Sequence, residues 1–127
     1  MSNIVDKVVM FNIPVSDMDK AKAFYTDKLG MKVITDIGQG SMHWITLASP
    51  GGGPSVGLTT AYGNAKPGTM NIQLSTSDIQ ESFKQLNAKG IKPTTKIMED
   101  YHGPGSGVKG FQVVDPDGDI LSILQFK

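Results

Sequence analysis

The sequence predicts an α+β fold made of two tandem modules, each with the element order strand, helix, strand, strand, strand. Residues 10–32 resemble residues 71–92, with matching positions 60 or 61 residues apart, and such self-similarity indicates a repeated structural unit. Both copies begin with alternating apolar residues and continue with apolar residues three or four positions apart. These are the patterns of a half-buried strand and an amphipathic helix. Three further strand-like stretches follow each copy.

Each copy opens with a strand that leads into a helix. Its alternating residues are Val9, Phe11 and Ile13 in the first copy and Ile72 and Leu74 in the second. Ser16 and Ser77 are predicted to cap the helices, since an acidic or amide residue follows each of them three positions later, as in a capping box. One helix face is then apolar, through Met18, Ala21, Tyr25 and Leu29 in one copy and Ile79, Phe83 and Leu86 in the other. Gly30 and Gly90 are expected to end the helices.

The other strands are separated by turns rich in glycine and proline. They are predicted at 33–37, 42–48 and 55–60 in the first module and at 92–98, 110–114 and 120–126 in the second. The ferredoxin-like repeat has only two strands between its helices, whereas this chain has more. Residues 61–69 form a short link between modules 4–60 and 70–127, so we expect one domain over residues 1–127.

Composition excludes several classes of function. Twelve basic and twelve acidic residues cancel, so the chain lacks the positive field that attracts nucleic acid. The absence of cysteine removes disulfides, thiolate catalysis and iron–sulfur clusters, and it favours a cytoplasmic location. No stretch approaches 18 consecutive apolar residues, and no basic segment leads into an apolar block at the start. Neither a membrane span nor a signal peptide is therefore expected.

Two segments carry a resemblance to a known family. AFYTDKLGMKV near the start and DPDGD near the end, in tandem modules of this order, resemble the vicinal oxygen chelate superfamily, which includes glyoxalase I, bleomycin-resistance proteins and extradiol dioxygenases. The resemblance covers essentially the whole chain. It implies that each module curls its mixed sheet, that the two sheets enclose a cavity with the helices outside, and that two chains form a homodimer.

The family's metal ligands are missing from the matching positions. Metal-dependent members place His, Glu or Gln on the first and last strands of each module, and the resemblance puts these places at Met10, Gly57, Asn71 and Ser122. A thioether, a glycine, an amide and a hydroxyl are poor ligands for a divalent transition metal. The sequence therefore predicts neither a metal nor another cofactor.

Strand alternation independently places polar residues on the face away from the helices. With the curl that the family implies, this face lines a pocket. Trp44 shares its parity and either stacks on a planar ligand or fills the cavity wall. His102 opens a glycine-rich loop that acts either as a lid with an acid–base residue or as an exposed loop. The predicted ligand-binding residues are Met10, Asn12, Trp44, Gly57, Asn71, Gln73, His102 and Ser122.

Two motifs are predicted to be structural. DPDGD has aspartates at the first, third and fifth positions of a calcium loop, but Ile120 and Phe126 occupy the places of its glycine and glutamate. It is therefore expected to be a turn between strands. Residues 105–110 match GxGxxG, but they precede a strand, so the helix terminus that binds a dinucleotide is missing.

These observations favour a metal-free protein that binds a small organic molecule in the sheet cavity. The alternative is a lyase, isomerase or dioxygenase of the same superfamily with atypical metal ligands, such as His43, His102 and nearby carboxylates. His43 is otherwise expected to be a structural histidine. A third possibility is a structural or partner-binding role. Whether a reaction is catalysed, and by which residues, is left open.

Overall fold

The computed structural model describes residues 3–61 and 63–127. The chain divides into two compact units, Met1–Lys66 and Pro67–Lys127, and this boundary lies inside the predicted link. Each unit contains a small mixed sheet and a helix, which confirms the α+β class. Within the described residues, no helix combines the length and the apolar character that a membrane span requires.

The first unit contains a four-stranded sheet in the order β1-β4-β3-β2. Its strands are β1 (Met10–Pro14), β2 (Lys32–Gln39), β3 (Met42–Ala48) and β4 (Ser55–Thr59). Strands β1 and β4 are parallel, whereas the other neighbours are antiparallel. The four strands predicted for this module are confirmed. Strand β2 is longer than predicted, and its register shifts between Val33 and Thr35.

The helix of the first unit is α1 (Met18–Ala23), which continues into a π-helical turn at Phe24–Lys28. Asp17, and not the predicted Ser16, caps α1, because its extended backbone directs the carboxylate to the Lys20 N–H at 3.1 Å. In the π-helical turn the Leu29 N–H donates to the Phe24 carbonyl. The turn buries two adjacent aromatic rings, Phe24 and Tyr25, edge to face at 5.2 Å.

The second unit contains a three-stranded sheet in the order β5-β7-β6. Its elements are β5 (Asn71–Ser75), α2 (Ile79–Ala88), β6 (Lys109–Val114) and β7 (Ile120–Gln125). Strand β7 is parallel to β5 and antiparallel to β6. Asp78, and not Ser77, caps α2 through the Glu81 N–H at 3.1 Å. Gly90 follows this helix with a φ of 84°, as the predicted helix end requires.

The strand predicted at 92–98 is wrong apart from one bridge, Met98 to Gly110. Pro93 has no N–H to donate. Thr94 N–H bonds the Gln112 carbonyl at 2.7 Å, but the Gln112 N–H turns to the Thr95 hydroxyl at 3.1 Å instead of a backbone carbonyl. The segment therefore follows β6 without forming a regular ladder, and the second module has one strand fewer than predicted.

In each unit one face of the sheet is buried. The apolar residues that alternate along the strands lie on this face, as the sequence predicts. In the first unit Ile13, Ile45 and Leu58 are fully buried, and α1 contacts β4. In the second, α2 contacts β6 and β7, and the Phe83 and Phe111 rings lie edge to face at 5.0 Å. Burying each such side chain contributes about 1.5–3 kcal/mol, which fixes the strand parity and leaves the opposite face of each sheet for other contacts.

Candidate functional site

In the first unit, the sheet face away from α1 gathers three predicted site residues. Asn12 pairs with Gly57 across β1 and β4, and Met10 lies two residues earlier on the same face of β1. A Cβ at Gly57 would collide with the Asn12 amide oxygen and lie 3.4 Å from the Met10 sulfur. Both side chains therefore lie over Gly57, and the glycine is what lets them approach the sheet.

Trp44 stands further along the same face. It is half-buried on β3, pairs with Ile37 of β2, and donates its indole N–H to the Thr46 hydroxyl at 3.3 Å. Ile37 and Met42 share its parity and are 64% and 71% exposed. An open apolar surface therefore surrounds the indole. The sequence prediction did not include Ile37 and Met42, although their parity with Trp44 was a usable signal.

In the second unit, the face away from α2 carries a row of polar side chains across the three strands. Gln73, Ser122 and Gln112 are register partners in β5, β7 and β6. The Tyr101 hydroxyl lies 2.7 Å from the Ser122 oxygen and accepts a hydrogen bond from the Gln112 amide at 2.7 Å. Either hydroxyl can donate in the hydrogen bond between Tyr101 and Ser122. Ser122 is 1% exposed, so it is held beneath the tyrosine.

The loop that carries Tyr101 also positions His102. Tyr101 donates its backbone N–H to the Val108 carbonyl at 2.6 Å, and the exposed His102 places Nε2 3.3 Å from the Gln73 amide oxygen. A Cβ at Gly110 would lie 2.6 Å from the Tyr101 ring, so this glycine admits the tyrosine to the sheet. The loop predicted as a lid lies over the polar face of its own unit.

The predicted site residues thus form two groups, one in each unit. Met10, Asn12, Gly57 and Trp44 share a face in the first unit, and Gln73, His102 and Ser122 are joined by hydrogen bonds or register in the second. Asn71 is exposed and pairs with Ile120, one row away from Ser122. Tyr101 and Gln112 were missed. The alternation of Phe111, Gln112 and Val113 could have indicated Gln112, whereas the position of Tyr101 depends on loop geometry.

The four positions that the resemblance assigns to metal ligands do not fit a metal here. Met10 offers a thioether beside Gly57, which has no side chain, and the Ser122 hydroxyl is bonded to Tyr101. Asn71 offers only an amide. Divalent transition metals are held mainly by imidazole, thiolate or carboxylate ligands, and these four positions supply none of them. Among the described residues, no group of three or more His, Asp or Glu side chains is placed to share a metal ion.

The two histidines occupy different environments. His43 lies on the α1 side of the first sheet, opposite to Trp44, with its Nε2 2.6 Å from Asp36 Oδ1. Lys22 approaches the other oxygen of Asp36 at 3.1 Å. Hydrogen bonds from His43 and Lys22 lower the pKa of Asp36, so this side chain stays ionised. His102 belongs to the second unit.

The DPDGD segment forms the predicted turn. Gly118 has a φ of 94°, and the Asp115 carboxylate accepts the backbone N–H groups of Asp117 and Asp119 at 3.0 and 2.9 Å. Asp119 is fully buried. One of its oxygens accepts the Met70 N–H at 2.8 Å, and the other finds no hydrogen-bond donor in the described structure. Burial, reinforced by the Asp115 carboxylate, raises the pKa of Asp119 to about 7.

Two helix-backed mixed sheets, each with parallel first and last strands, define a glyoxalase-type fold with a polar or open face in each unit. The chain belongs to the Glyoxalase/Bleomycin resistance protein/Dioxygenase superfamily, whose family model matches residues 7–121. This match confirms the resemblance drawn from the sequence.

Known proteins from several bacteria are similar to the chain. A superfamily member from Sphaerobacter thermophilus DSM 20745 has a TM-score of 0.82 and 29% identity, over 97% of this chain and 99% of that one. TnmS3, an antibiotic binding protein from Streptomyces sp. CB03234, has a TM-score of 0.79 and 25% identity, over 99% and 100% of the two chains. The uncharacterized protein YurT of Bacillus subtilis (strain 168) is 32% identical over 104 residues, 71% of this chain and 80% of its own.

Proposed function

We propose that this protein binds a small, planar organic molecule, without a metal ion, on the open face of its first unit. The observation that carries the proposal is the exposed apolar surface around Trp44, where Ile37 and Met42 are more than half exposed. Large rings such as indole bind planar ligands by stacking and dispersion. Asn12, exposed beside the half-buried Met10, supplies an amide that would orient the ligand.

The faces of the two units differ in a way that favours the first as the principal binding surface. In the second unit Tyr101 occupies the centre of the polar row through Ser122 and Gln112. Gln73 and His102 remain exposed at its edge, and we propose that, with Asn71, they form a separate, smaller ligand-binding surface of the second unit. Ser122 would contribute indirectly, by holding Tyr101 in place.

Similarity supports the class of ligand. TnmS3 is an antibiotic binding protein, and its whole length aligns with this chain in the structural comparison. The neutral net charge of this chain favours an uncharged or weakly charged ligand over a polycation. Sequestration needs only binding, which agrees with the poor metal ligands at the family positions. We also propose a cytoplasmic location, which the absence of cysteine favours.

Ligand binding is expected to quench the fluorescence of Trp44, the only tryptophan of the chain. The measurement is a titration with doxorubicin, an antibiotic with a planar aromatic ring system, and with kanamycin as a non-planar polycation. A planar probe at 100 times its Kd should also stabilise the fold by about 2.7 kcal/mol in thermal unfolding. A planar probe that binds no better than kanamycin would contradict the proposal.

Two matched variants locate the site. Ile37→Ala removes an exposed side chain beside Trp44 and should weaken binding about tenfold, since burying such a side chain contributes about 1.5 kcal/mol or more. Val33→Ala shortens a side chain of the same strand on the opposite face and should leave the affinity unchanged. Equal effects of the two substitutions would place the ligand elsewhere.

We further propose that two chains pair through the β2 edge of the first sheet. Among the described residues strand β2 has one sheet neighbour, and Ile34 is 55% exposed along it. Exposed apolar edges are pairing sites unless they are protected. Light scattering should give twice the chain mass, and Ile34→Lys should shift the protein to monomers. A variant that remains dimeric would exclude this edge as the interface.

A further inference from the structure

The turn between β6 and β7 holds the segment that leads into β5. Met70 bonds this turn through both of its backbone groups. Its N–H donates to an Asp119 carboxyl oxygen at 2.8 Å, and its carbonyl accepts the Ile120 N–H at 3.0 Å. Gly68, with a φ of 85°, lies so close to the turn that an added Cβ would collide with the Asp117 carbonyl oxygen. The Asp119 side chain therefore joins the turn to residues 67–70.

The Asp119 carboxyl is buried where a negative charge is poorly tolerated. The residue is 0% exposed, and one of its carboxyl oxygens has no hydrogen-bond donor in the described part of the chain. The charged groups that act on it are Asp115 and Asp117, both of them carboxyls of its own turn. Residues 67–70 add no ionisable side chain. Burial and the Asp115 carboxyl accordingly raise the pKa of Asp119 to about 7.

Solvent lies close to this buried carboxyl. Pro116 and Gly118 are exposed at the tip of the turn, and Ile120 is 38% exposed at its end. Central strand β7, in contrast, is buried over residues 121–124. Segments that bury little apolar surface open locally at a lower free energy than the core. An ionised Asp119 can thus reach water through opening of the turn, while the core strands stay folded.

We propose that Asp119 is a proton-dependent latch, which closes the β6–β7 turn on residues 67–70 when it is protonated and opens the turn when it is ionised. In the closed state the protonated carboxyl donates to the Asp115 carboxylate and accepts the Met70 N–H. Loss of the proton to water leaves two carboxylates side by side in a buried place. The Asp119 side chain then moves into water and releases the Met70 N–H. The latch is independent of the proposed function, because it uses none of the residues proposed to bind a ligand.

The latch should loosen as the pH rises toward neutrality. The Asp119 carboxyl has its ordinary pKa of 3.8 once it is in water, and a pKa of about 7 in the closed turn. Between these two values each pH unit should favour the open turn about tenfold. Below the lower value both states are protonated, and above the upper value both are ionised. The pH dependence therefore ends at each limit.

Hydrogen exchange of backbone amides, followed by NMR from pH 4 to pH 8, measures this opening. After correction for the intrinsic exchange rate, the protection of Met70 and Ile120 should fall about tenfold per pH unit between about pH 4.5 and 6.5 and become constant above about pH 7.5. Both amides should exchange faster than those of residues 121–124. Low concentrations of urea should not speed their exchange, because local opening exposes little surface.

Two outcomes of this experiment would overturn the latch. One is protection of Met70 and Ile120 that stays constant over the whole pH range. The other is exchange of these two amides at the same rate, and with the same response to urea, as residues 121–124. The second result would mean that the ionised carboxyl reaches water only when the whole unit unfolds.

Two variants that each remove one carboxyl separate the latch from a general effect of pH. D119N keeps the shape of the side chain without the titrating group, so Met70 and Ile120 should keep the same protection from pH 4 to pH 8. D117N removes a half-buried carboxyl of the same turn and should retain the pH dependence of the wild type. A tenfold fall per pH unit in D119N, or its loss in D117N, would overturn the proposal.

A third variant, D115N, tests the proton shared by the two carboxyls. Asparagine keeps an oxygen that can accept the N–H groups of Asp117 and Asp119, but it removes the neighbouring negative charge. The pKa of Asp119 should therefore be lower in this variant. Protection of Met70 should then become constant at a lower pH than in the wild type. An unchanged pH would overturn the role of Asp115 in the latch.

Discussion

Replacing Asp119 with asparagine is expected to raise the free energy of unfolding at pH 8 by up to about 4 kcal/mol. The wild-type carboxyl is fully buried, and one of its oxygens finds no donor in the described structure. Asparagine has nearly the same shape. Its oxygen would keep the hydrogen bond from the Met70 N–H, and its NH₂ group would donate to the Asp115 carboxylate beside it. The substitution therefore removes a buried charge and adds the missing donor.

The gain should depend on pH in a defined direction. Burial and the neighbouring Asp115 carboxylate raise the pKa of Asp119 from its ordinary value of 3.8 to about 7. Between these values the folded protein holds a proton that the unfolded chain has released, so wild-type stability falls as pH rises from about 4 to about 7. This contribution is fully present below the unfolded pKa and lost above the folded one. At pH 4 the variant should therefore gain little.

Urea unfolding of both proteins from pH 4 to pH 8 measures this difference. The wild-type curve should decline through this window relative to the variant, because the variant lacks the titrating group. Asp117→Asn is the matched control, since it removes a carboxylate from the same turn that is only half-buried. Its effect should be within about 0.5 kcal/mol, as is usual for surface substitutions. If Asp119→Asn loses stability at pH 8, the raised pKa inferred for the buried Asp119 carboxyl is contradicted.

The parts of the fold that follow from local patterns could be predicted from the sequence. Both helices, the four strands of the first sheet and the glycines that end the helices are set by alternation, by helical spacing and by backbone freedom. The helix caps were placed one residue early, because Ser16 and Ser77 precede aspartates that are equally good caps. Only the backbone geometry shows that the aspartates reach the N–H groups.

The parts that depend on contacts distant in sequence could not be predicted. Residues 92–98 have strand-like composition, but Pro93 and the Thr95 hydroxyl disrupt the ladder beside β6. Strand parity placed Met10, Asn12, Gly57 and Trp44 correctly on one face. It gave no indication that a tyrosine from a glycine-rich loop would cover Ser122. Loop conformation is determined by the sheet on which the loop lies, and a single sequence does not encode that geometry locally.

The tyrosine also leads to the second large expected effect. Tyr101→Phe should lower the free energy of unfolding by about 3 kcal/mol, because loss of one hydroxyl leaves two groups without a partner. The Ser122 hydroxyl is buried on β7, and the Gln112 amide donates to the tyrosine at 2.7 Å. Chemical denaturation of the wild type and the variant measures the loss. The phenyl ring itself remains, so packing on Gly110 is preserved and the change reports on hydrogen bonding alone.

A double-mutant cycle with Ser122→Ala separates this bond from other effects. In the Ser122→Ala background, Tyr101→Phe leaves only the Gln112 amide without its partner. The losses of unfolding free energy from the two substitutions should therefore be less than additive, by about 1–2 kcal/mol. Gly110→Ala should displace the Tyr101 ring by steric contact, since its methyl group would lie 2.6 Å from a ring carbon. Strict additivity in the cycle would mean that Tyr101 and Ser122 do not interact. If the coupling is found, Ser122, the position that the family resemblance assigns to a metal ligand, serves here to hold a loop on the sheet.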